Sequence, residues 1–515
     1  MKNLYFDTRI LDEEARKQFF LTEEIMMENA ACALQLQIES YISNQNIKKP
    51  KILILCGKGN NGADGFTLAR RISKKFQVIV IETQKVVSGL CAIQKSRFLK
   101  TEGKILQIHD FLQESKEKTI FTKYFSKNKN FKNVIIVDCI FGSGFHGEFS
   151  SSISALLDFV NKIGCFKIAC DIPSGISLNG LCAKNTFKSN LTVTCGALKF
   201  SLYSDFAKDF TGKIVIADLG IDIQNFQKNS IPDAKLLEKS DLILPNRTKN
   251  LVNKGSFGHV VSICGEKIGA SSLSSLSALT FGCGKATLVN ENDFSNQMGL
   301  FKIPLSLMTS QNIPQNVNAI IFGPGFGLKN DAKKYFDFLL SNPTIPCVLD
   351  ADAFYFEQIL KVLKSRPNGI ILTPHPKEFL NLLKIANLVT ADFSISDILE
   401  KKYELCELFC TTFPDTVLIL KGSNPLISTF SKQENESFYN LKVFVNPLGS
   451  PSLAKAGSGD VLGGLCAGLL AQNYSPLQAA ISSSIAHALA SQNEKNNFSL
   501  TAEQLIQNIS NLTSK

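Results

Sequence analysis

No apolar run in this 515-residue sequence reaches the ~20 residues that a membrane span requires. The longest, Val461 to Ala471, is short and interrupted by glycines. The opening stretch, MKNLYFDTRILDEEARKQ, is charged from the start and lacks the apolar core of a secretory signal. Both absences lead to the expectation of a cytoplasmic protein with no membrane contact. Fourteen cysteines are present without a CxxC pair, and the closest two, Cys406 and Cys410, have no histidine nearby. The thiols are therefore expected as small buried hydrophobes in a reducing compartment, not as a zinc site or a disulfide framework. Also missing is a dense basic block interleaved with aromatics, because the formal charge of +10 is spread over lysine-rich helices and loops. That pattern describes a solvated surface, and nucleic acid is not an expected partner.

What is present describes a well-packed globular protein, with 44% hydrophobic and 19% charged residues. The chain is too long for one ordinary core, which implies two or three domains. KILILC (Lys51 to Cys56), FQVIVIE (Phe76 to Glu82), NVIIVDCIF (Asn133 to Phe141) and FKIACDIPSG (Phe166 to Gly175) read as strands, with helical spacing between them. Such alternation implies a parallel α/β sheet. The rhythm restarts at GHVVSICG (Gly258 to Gly265) and continues through NAIIFGPGFG, PCVLDADAF, GIILTPHPKEF and TVLILKGS. Between the halves, Asp222 to Thr248 is polar and lacks strand rhythm, so it is expected as a linker. Ligands of open parallel sheets collect at the carboxyl ends of strands, where the unusual polar and glycine clusters of both halves lie. One site per half is the expectation.

In the first half, GKGNNGADG (Gly57 to Gly65) follows a strand and opens a helix, an arrangement suited to an anion. Asn60, Asn61 and Asp64 add two amides and a carboxylate that are costly to bury without a ligand, although Asx-turn chemistry could hold such a loop. Asn61, Asp138 and Ser174 could supply hard oxygen ligands to a monovalent cation. The ordered motifs MMENAA, GKGNNGADG, VDCIFGSG, DIPSG and VTCGALK resemble those of the NAD(P)H-hydrate epimerase family over residues 1–225. The resemblance implies a Rossmann-like three-layer domain that interconverts the R and S forms of hydrated NADH or NADPH and uses potassium, held by Asn61, Asp138 and Ser174. It places Asn60, Asn61, Gly62, Ala63 and Asp64 at the substrate. Gly142, Ser143, Gly144, Phe145, His146, Gly147 and Glu148 would join them there, with Asp171 as the proton-transfer group. Ala63, His146 and Leu198 depart from residues usual in the family.

The second half opens with KGSFGHV and a helix rich in small residues, which structural packing alone would explain. GPGFG (Gly323 to Gly327), LDADAF (Leu349 to Phe354), TPHPKEF (Thr373 to Phe379) and LILKGS (Leu418 to Ser423) each end a strand. Prolines bracket His375 and stiffen its backbone, whereas His487, in SSSIAHALAS, is expected as a packed helix residue. AKAGSGDVLGG combines a glycine cradle for phosphate with a carboxylate, Asp460. The set resembles the ribokinase-like ATP-dependent NAD(P)H-hydrate dehydratases over residues 245–510. That resemblance implies phosphorylation of the hydrate by ADP or ATP with magnesium, and Asp460 as base. It places Ala270, Gly325, His375 and Asp460 at the hydrate, and Lys421, Gly422, Ser423, Asn424, Pro425, Gly457, Ser458 and Gly459 at the nucleotide. Ser458 and Lys377 depart from the usual threonine and glycine.

The expected protein is thus a two-domain α/β repair enzyme, isomerase and lyase in one chain. Its partners would be small-molecule substrates and, by resemblance, further copies of itself. The alternative is a ribokinase-like small-molecule kinase whose N-terminal half is a non-catalytic nucleotide- or protein-binding module.

Overall fold

A computed structural model describes residues 1–86, 89–110, 131–291, 303–365, 369–432, 439–493 and 496–513. The chain divides into two compact units, Asn3–Asp233 and Ala234–Lys515, the latter joined by Met1–Lys2.

In the first unit, strands β2 (Lys51–Cys56), β3 (Gln77–Glu82), β4 (Lys104–Gln107), β5 (Val134–Cys139), β6 (Phe166–Cys170), β7 (Leu191–Cys195) and β9 (Lys213–Ala217) form a parallel sheet. Its order is β4-β3-β2-β5-β6-β7-β9. Alternate side chains serve opposite faces. Ile52, Ile54 and Cys56 pack with Leu34, Phe66 and Ala69 from helices Glu23–Asn44 and Asn60–Ile72. Leu53 and Leu55 pack with Ile153, Leu156 and Val160 from helix Ser151–Asn161. Helices on both faces make three layers, and burial on both faces explains the unbroken apolar runs of the strands. Leu4 and Tyr5 of β1 (Lys2–Tyr5) pair in parallel with Leu198 and Lys199 of β8 (Leu198–Lys199).

The second unit is built on β10 (Ala234–Leu236), β11 (His259–Ile263), β12 (Lys285–Val289), β13 (Met308–Ser310), β14 (Ala319–Phe322), β15 (Cys347–Leu349), β16 (Ile370–Leu372), β17 (Thr416–Leu420), β18 (Leu426–Ser431) and β19 (Asn440–Val445). Their order is β13-β12-β11-β14-β15-β16-β17-β18-β19-β10. The run from β13 to β17 is parallel, and β18 is antiparallel to both of its neighbours. Helices Ile268–Thr280, Ser458–Ala471, Pro476–Ala490 and Ala502–Ser510 cover one face. The helix Ser458–Ala471 is buried almost all round, and a Cβ on Gly464 would lie 2.0 Å from the Ser274 carbonyl oxygen. Its glycines are therefore the condition for two helix backbones to meet.

The segment Asp222–Thr248 is more than the expected linker. Asp222 caps the short helix Ile223–Phe226 in the first unit, and β10 pairs in parallel with β19 in the second. A three-residue strand completed by a partner two hundred positions away leaves no local periodicity to read.

Candidate active sites

In the first unit the carboxyl ends of β2, β5, β6 and β7 gather the polar residues. The turn after β2 is tight: a Cβ on Gly62 would fall 1.9 Å from the Gly57 carbonyl oxygen. Ala63, in place of a second glycine, is fully buried and adopts ordinary helix backbone. Asn61 donates from Nδ2 to the Phe141 carbonyl at 2.9 Å, and its Oδ1 is buried without a partner. Beside it, Asp138 accepts from Ser174 N and Ser174 Oγ, both at 2.7 Å, and from Ile140 N at 3.1 Å. Burial, opposed by those hydrogen bonds, raises the Asp138 carboxyl to about 6. An orphaned amide oxygen next to a buried carboxylate and a hydroxyl is a donor set that suits a hard cation.

Asp171 follows β6 with φ of 66°, a left-handed conformation unusual for a non-glycine residue and characteristic of strained functional positions. Its Oδ1 accepts from Lys199 Nζ at 2.6 Å and from Cys195 N at 3.1 Å. Lys199 Nζ also reaches Thr194 Oγ1 at 3.1 Å and the Cys195 carbonyl at 3.2 Å. Burial alone would lower the lysine, but Asp171 reverses this and holds it above its ordinary value. Gly142 closes over the pair, since a Cβ there would lie 3.0 Å from Asp171 Oδ2 and 3.7 Å from Asn61 Cγ.

Nearby, Asn60, Asp64, Asp12 and Cys195 line a cavity of about 340 Å³, with Arg9 and Arg16 among the other walls. Burial, reinforced by the charges of Asp171 and Asp12, pushes Asp64 well above the carboxylate range. Burial likewise raises Asp12 to about 6, with Lys199 opposing. Not all of the expected loop joins this group. Phe145 turns into an aromatic cluster with Phe141 and Phe149, while Gly144, His146, Gly147 and Glu148 are exposed and Ser143 is half-buried. Among the described residues, His146 Nδ1 meets the Gly144 carbonyl of its own loop, 3.0 Å away.

In the second unit β15, β16 and β17 deliver Asp350, His375 and Lys421 just past their ends. Lys421 Nζ donates to Asp350 Oδ1 at 2.8 Å, and a Cβ on Gly459 would approach Lys421 Nζ to 3.1 Å. The ion pair thus stands against the AGSGD turn. Gly457 has φ of 88°, and Asp460 lies in the first turn of its helix. Burial, with the Asp350 charge adding and Lys421 opposing, raises Asp460 to about 6. Asp460, Gly457 and Ala270 share a cavity of about 470 Å³ with Lys267 and Lys455. Gly325, at φ of 62°, adjoins Ala270: a Cβ there would lie 3.0 Å from the alanine Cβ.

His375 caps helix Pro376–Ile385, accepting on Nδ1 from Lys377 N at 3.1 Å and Glu378 N at 3.2 Å. Its Nε2 lies 3.1 Å from Glu378 Oε1, and burial lifts that carboxyl to about 7. Lys377, where a glycine was usual, donates its backbone N–H within this cap. After Lys421, Gly422 and Ser423 are exposed, whereas Asn424 is buried and Pro425 is half-buried, its carbonyl accepting from Asn446 N at 3.0 Å.

Lys199, Asp12, Lys267 and Lys455 were not among the residues expected from the sequence, and Asp350, within LDADAF, was marked only as a carboxylate at a strand end. A lysine or aspartate at the end of a strand was the available signal for Lys199 and Asp350. Nothing local marked Asp12.

The fold and these two clusters define a two-site α/β enzyme. The family model described as NAD(P)H-hydrate dehydratase matches residues 260–511, and the one described as YjeF-related protein N-terminus matches residues 23–201. A bifunctional NAD(P)H-hydrate repair enzyme of Helicobacter pylori is 40% identical over 513 residues, 99% of this chain and 100% of that protein. The Coxiella burnetii enzyme of the same description is 31% identical, covering 85% of each chain. A crystal structure of the ADP/ATP-dependent NAD(P)H-hydrate dehydratase from Bacillus subtilis covers 54% of this chain and 97% of its own, at 23% identity and a TM-score of 0.43. The chain belongs to the family of bifunctional NAD(P)H-hydrate repair enzymes, with an α/β domain of the YjeF-related type followed by an α/β domain of the NAD(P)H-hydrate dehydratase type.

Among the described residues no helix is long and apolar enough to cross a membrane.

Proposed function

We propose that the first unit, residues 1–225 in its functional extent, epimerises the hydrates of NADH or NADPH, and that residues 245–510 dehydrate the S hydrate at the expense of ADP or ATP. The observation that carries this reading is the pairing of a phosphate cradle with a raised-pKa carboxylate at Gly457–Asp460. It works in the cytoplasm on freely diffusing cofactor, as a homo-oligomer.

In the second unit Asp460 takes the proton of the ring hydroxyl, whose oxygen then attacks the terminal phosphorus of the nucleotide. The backbone N–H groups of Gly457, Ser458 and Gly459 stabilise the charge on the transferring phosphoryl group. The nucleotide leaves one phosphate shorter. Cleavage of the ring C–O bond then expels phosphate with the electron pair, and loss of a proton from the adjacent ring carbon restores the double bond. Lys421 to Pro425 hold the nucleotide, with Lys421 oriented by Asp350, while Ala270, Gly325 and His375 line the hydrate. Magnesium would neutralise charge on the nucleotide phosphates, and Asp350, beside the cradle, is the carboxylate that would help to hold it.

In the first unit the hydrated carbon carries both a hydroxyl and the ring nitrogen, so the hydroxyl leaves as water once protonated, and water returns to the other face once deprotonated. Asp171 is the proton-transfer group, and Asp64, whose carboxyl burial raises well above the ordinary carboxylate range, lines the adjoining cavity. Asn61, Asp138 and Ser174 would hold potassium, which would supply positive charge to the site.

Incubation with hydrated NADH and ADP or ATP tests the reading: recovery of the reduced-cofactor absorbance supports it, and an accumulating phosphorylated product sinks it. Asp171→Asn tests the first unit, since undiminished consumption of the R form would remove that residue from the mechanism.

A further inference from the structure

His487 lies on helix Pro476–Ala490 and is 8% exposed, as is Ser458. Its Nε2 is 2.9 Å from the Ser458 carbonyl oxygen and 3.1 Å from Ser458 Oγ. A carbonyl only accepts, so Nε2 carries the hydrogen and donates. Burial, with the charge of Lys421 adding, lowers the imidazole to about 4, and it remains neutral at physiological pH. Two other side chains grip the same turn: Ser274 Oγ donates to the Asp460 carbonyl at 2.9 Å, and Ser277 Oγ to the Val461 carbonyl at 3.0 Å. Three carbonyls of the first turn, at Ser458, Asp460 and Val461, are thus tied to helices on either side.

Packing alone does not account for this imidazole. Its helix is otherwise built of alanine, isoleucine, leucine and serine around that point, and burying a polar ring is costly unless its hydrogen bond is used. The bond is spent at the N-terminus that bears Gly457, whose backbone is left-handed, and Asp460, two residues after Ser458.

We propose that His487 is a positioning residue of the dehydratase site, whose Nε2–H holds Ser458 so that the Gly457–Gly459 N–H groups and the Asp460 carboxyl face the same phosphoryl group. It acts through Ser458 and does not touch substrate. The inference rests on the phosphoryl-transfer reading of the second unit. Misplacing catalytic groups by about 1 Å costs up to about a hundredfold in rate, so loss of the tether is expected to lower kcat by about tenfold to a hundredfold.

The test compares the full-length parent with His487→Leu and His487→Gln, the glutamine amide being able to place an N–H near the position of Nε2. In His487→Leu the dehydratase kcat falls by that factor with a smaller change in nucleotide KM, and amide exchange at Ser458 to Val461 speeds up. His487→Gln recovers most of both. Epimerase turnover, measured on the same protein, and the thermal transition stay at the parent's values. An unchanged kcat and unchanged exchange in His487→Leu overturn the proposal, as does equal impairment of the two variants or a lost thermal transition, each of which makes the histidine a packing residue. Exchange at the turn is read even if the parent shows no dehydration, so failure of the enzymatic reading and failure of the tether are told apart.

Discussion

Lys199 Nζ lies 2.6 Å from Asp171 Oδ1, with the lysine side chain 3% and the aspartate 14% exposed. The first unit therefore keeps its candidate proton-transfer group in a nearly dry ion pair. Removing one member of such a pair strands the other. Lys199→Met is expected to destabilise the first unit by about 3 kcal/mol, and Lys199→Met with Asp171→Asn to recover part of that loss. Chemical denaturation of the two variants checks this; equal stability of single and double variants would argue that the pair is not coupled.

Asp460 is the carboxylate proposed as the base of the second site. Asp460→Asn is expected to cut dehydration by about 10² to 10⁴-fold, the usual contribution of a general base, while nucleotide affinity stays close to the parent's. Rate and calorimetric binding measured together decide it, and simultaneous loss of both would mean that the residue shapes the cradle instead.

A base must be unprotonated to act, and Asp460 titrates at about 6. The dehydratase kcat/KM is therefore expected to fall as pH drops through about 6 and to level off above pH 7. A profile flat from pH 5 to 8 would remove Asp460 from the role.

Asp138 offers a thermodynamic test of the proposed potassium site. Its carboxyl is raised from 3.8 to about 6 in the folded protein, so the folded state binds more protons than the unfolded one across that window. The stabilisation it contributes is present below pH 4 and lost as pH rises through 6. A cation beside it favours the carboxylate and offsets the loss. Potassium is expected to raise the Tm of the first unit more at pH 7.5 than at pH 5, and Asn61→Ala to abolish the difference. Thermal scans in potassium and in a bulky organic cation of equal ionic strength measure it.

Gly464 sets how closely the helix that carries Asp460 approaches helix Ile268–Thr280. Gly464→Ala places a methyl 2.0 Å from both the Ser274 carbonyl oxygen and Ser277 Oγ. It should cost about 1–3 kcal/mol in the second unit and lower dehydration, with epimerase turnover on the same chain unaffected.

Much of the architecture was legible because strands buried on both faces are apolar throughout, and because glycine-rich turns must follow them where the backbone passes close to a neighbour. KILILC, NVIIVDCIF and TVLILKGS are strands in the structure for that reason. Asp171 and Asp460 stood out as carboxylates in settings that glycine and proline had already made unusual. By contrast, β10 was hidden in a polar segment, and Phe145, expected at the substrate, was drawn into an aromatic cluster that no spacing in its loop foretold.

The residue pattern was sufficient for the α/β layers and the family, and it pointed to the two polar clusters at the strand ends, since each depends on local periodicity or on short motifs. Which buried groups hold those clusters in place was decided by packing. Lys421 finds Asp350 across 71 residues, Lys199 finds Asp171 across 28, and His487 finds Ser458 across 29. A buried polar atom takes whatever partner the folded chain brings within about 3 Å, and that adjacency exists only once sheets and helices have closed around it.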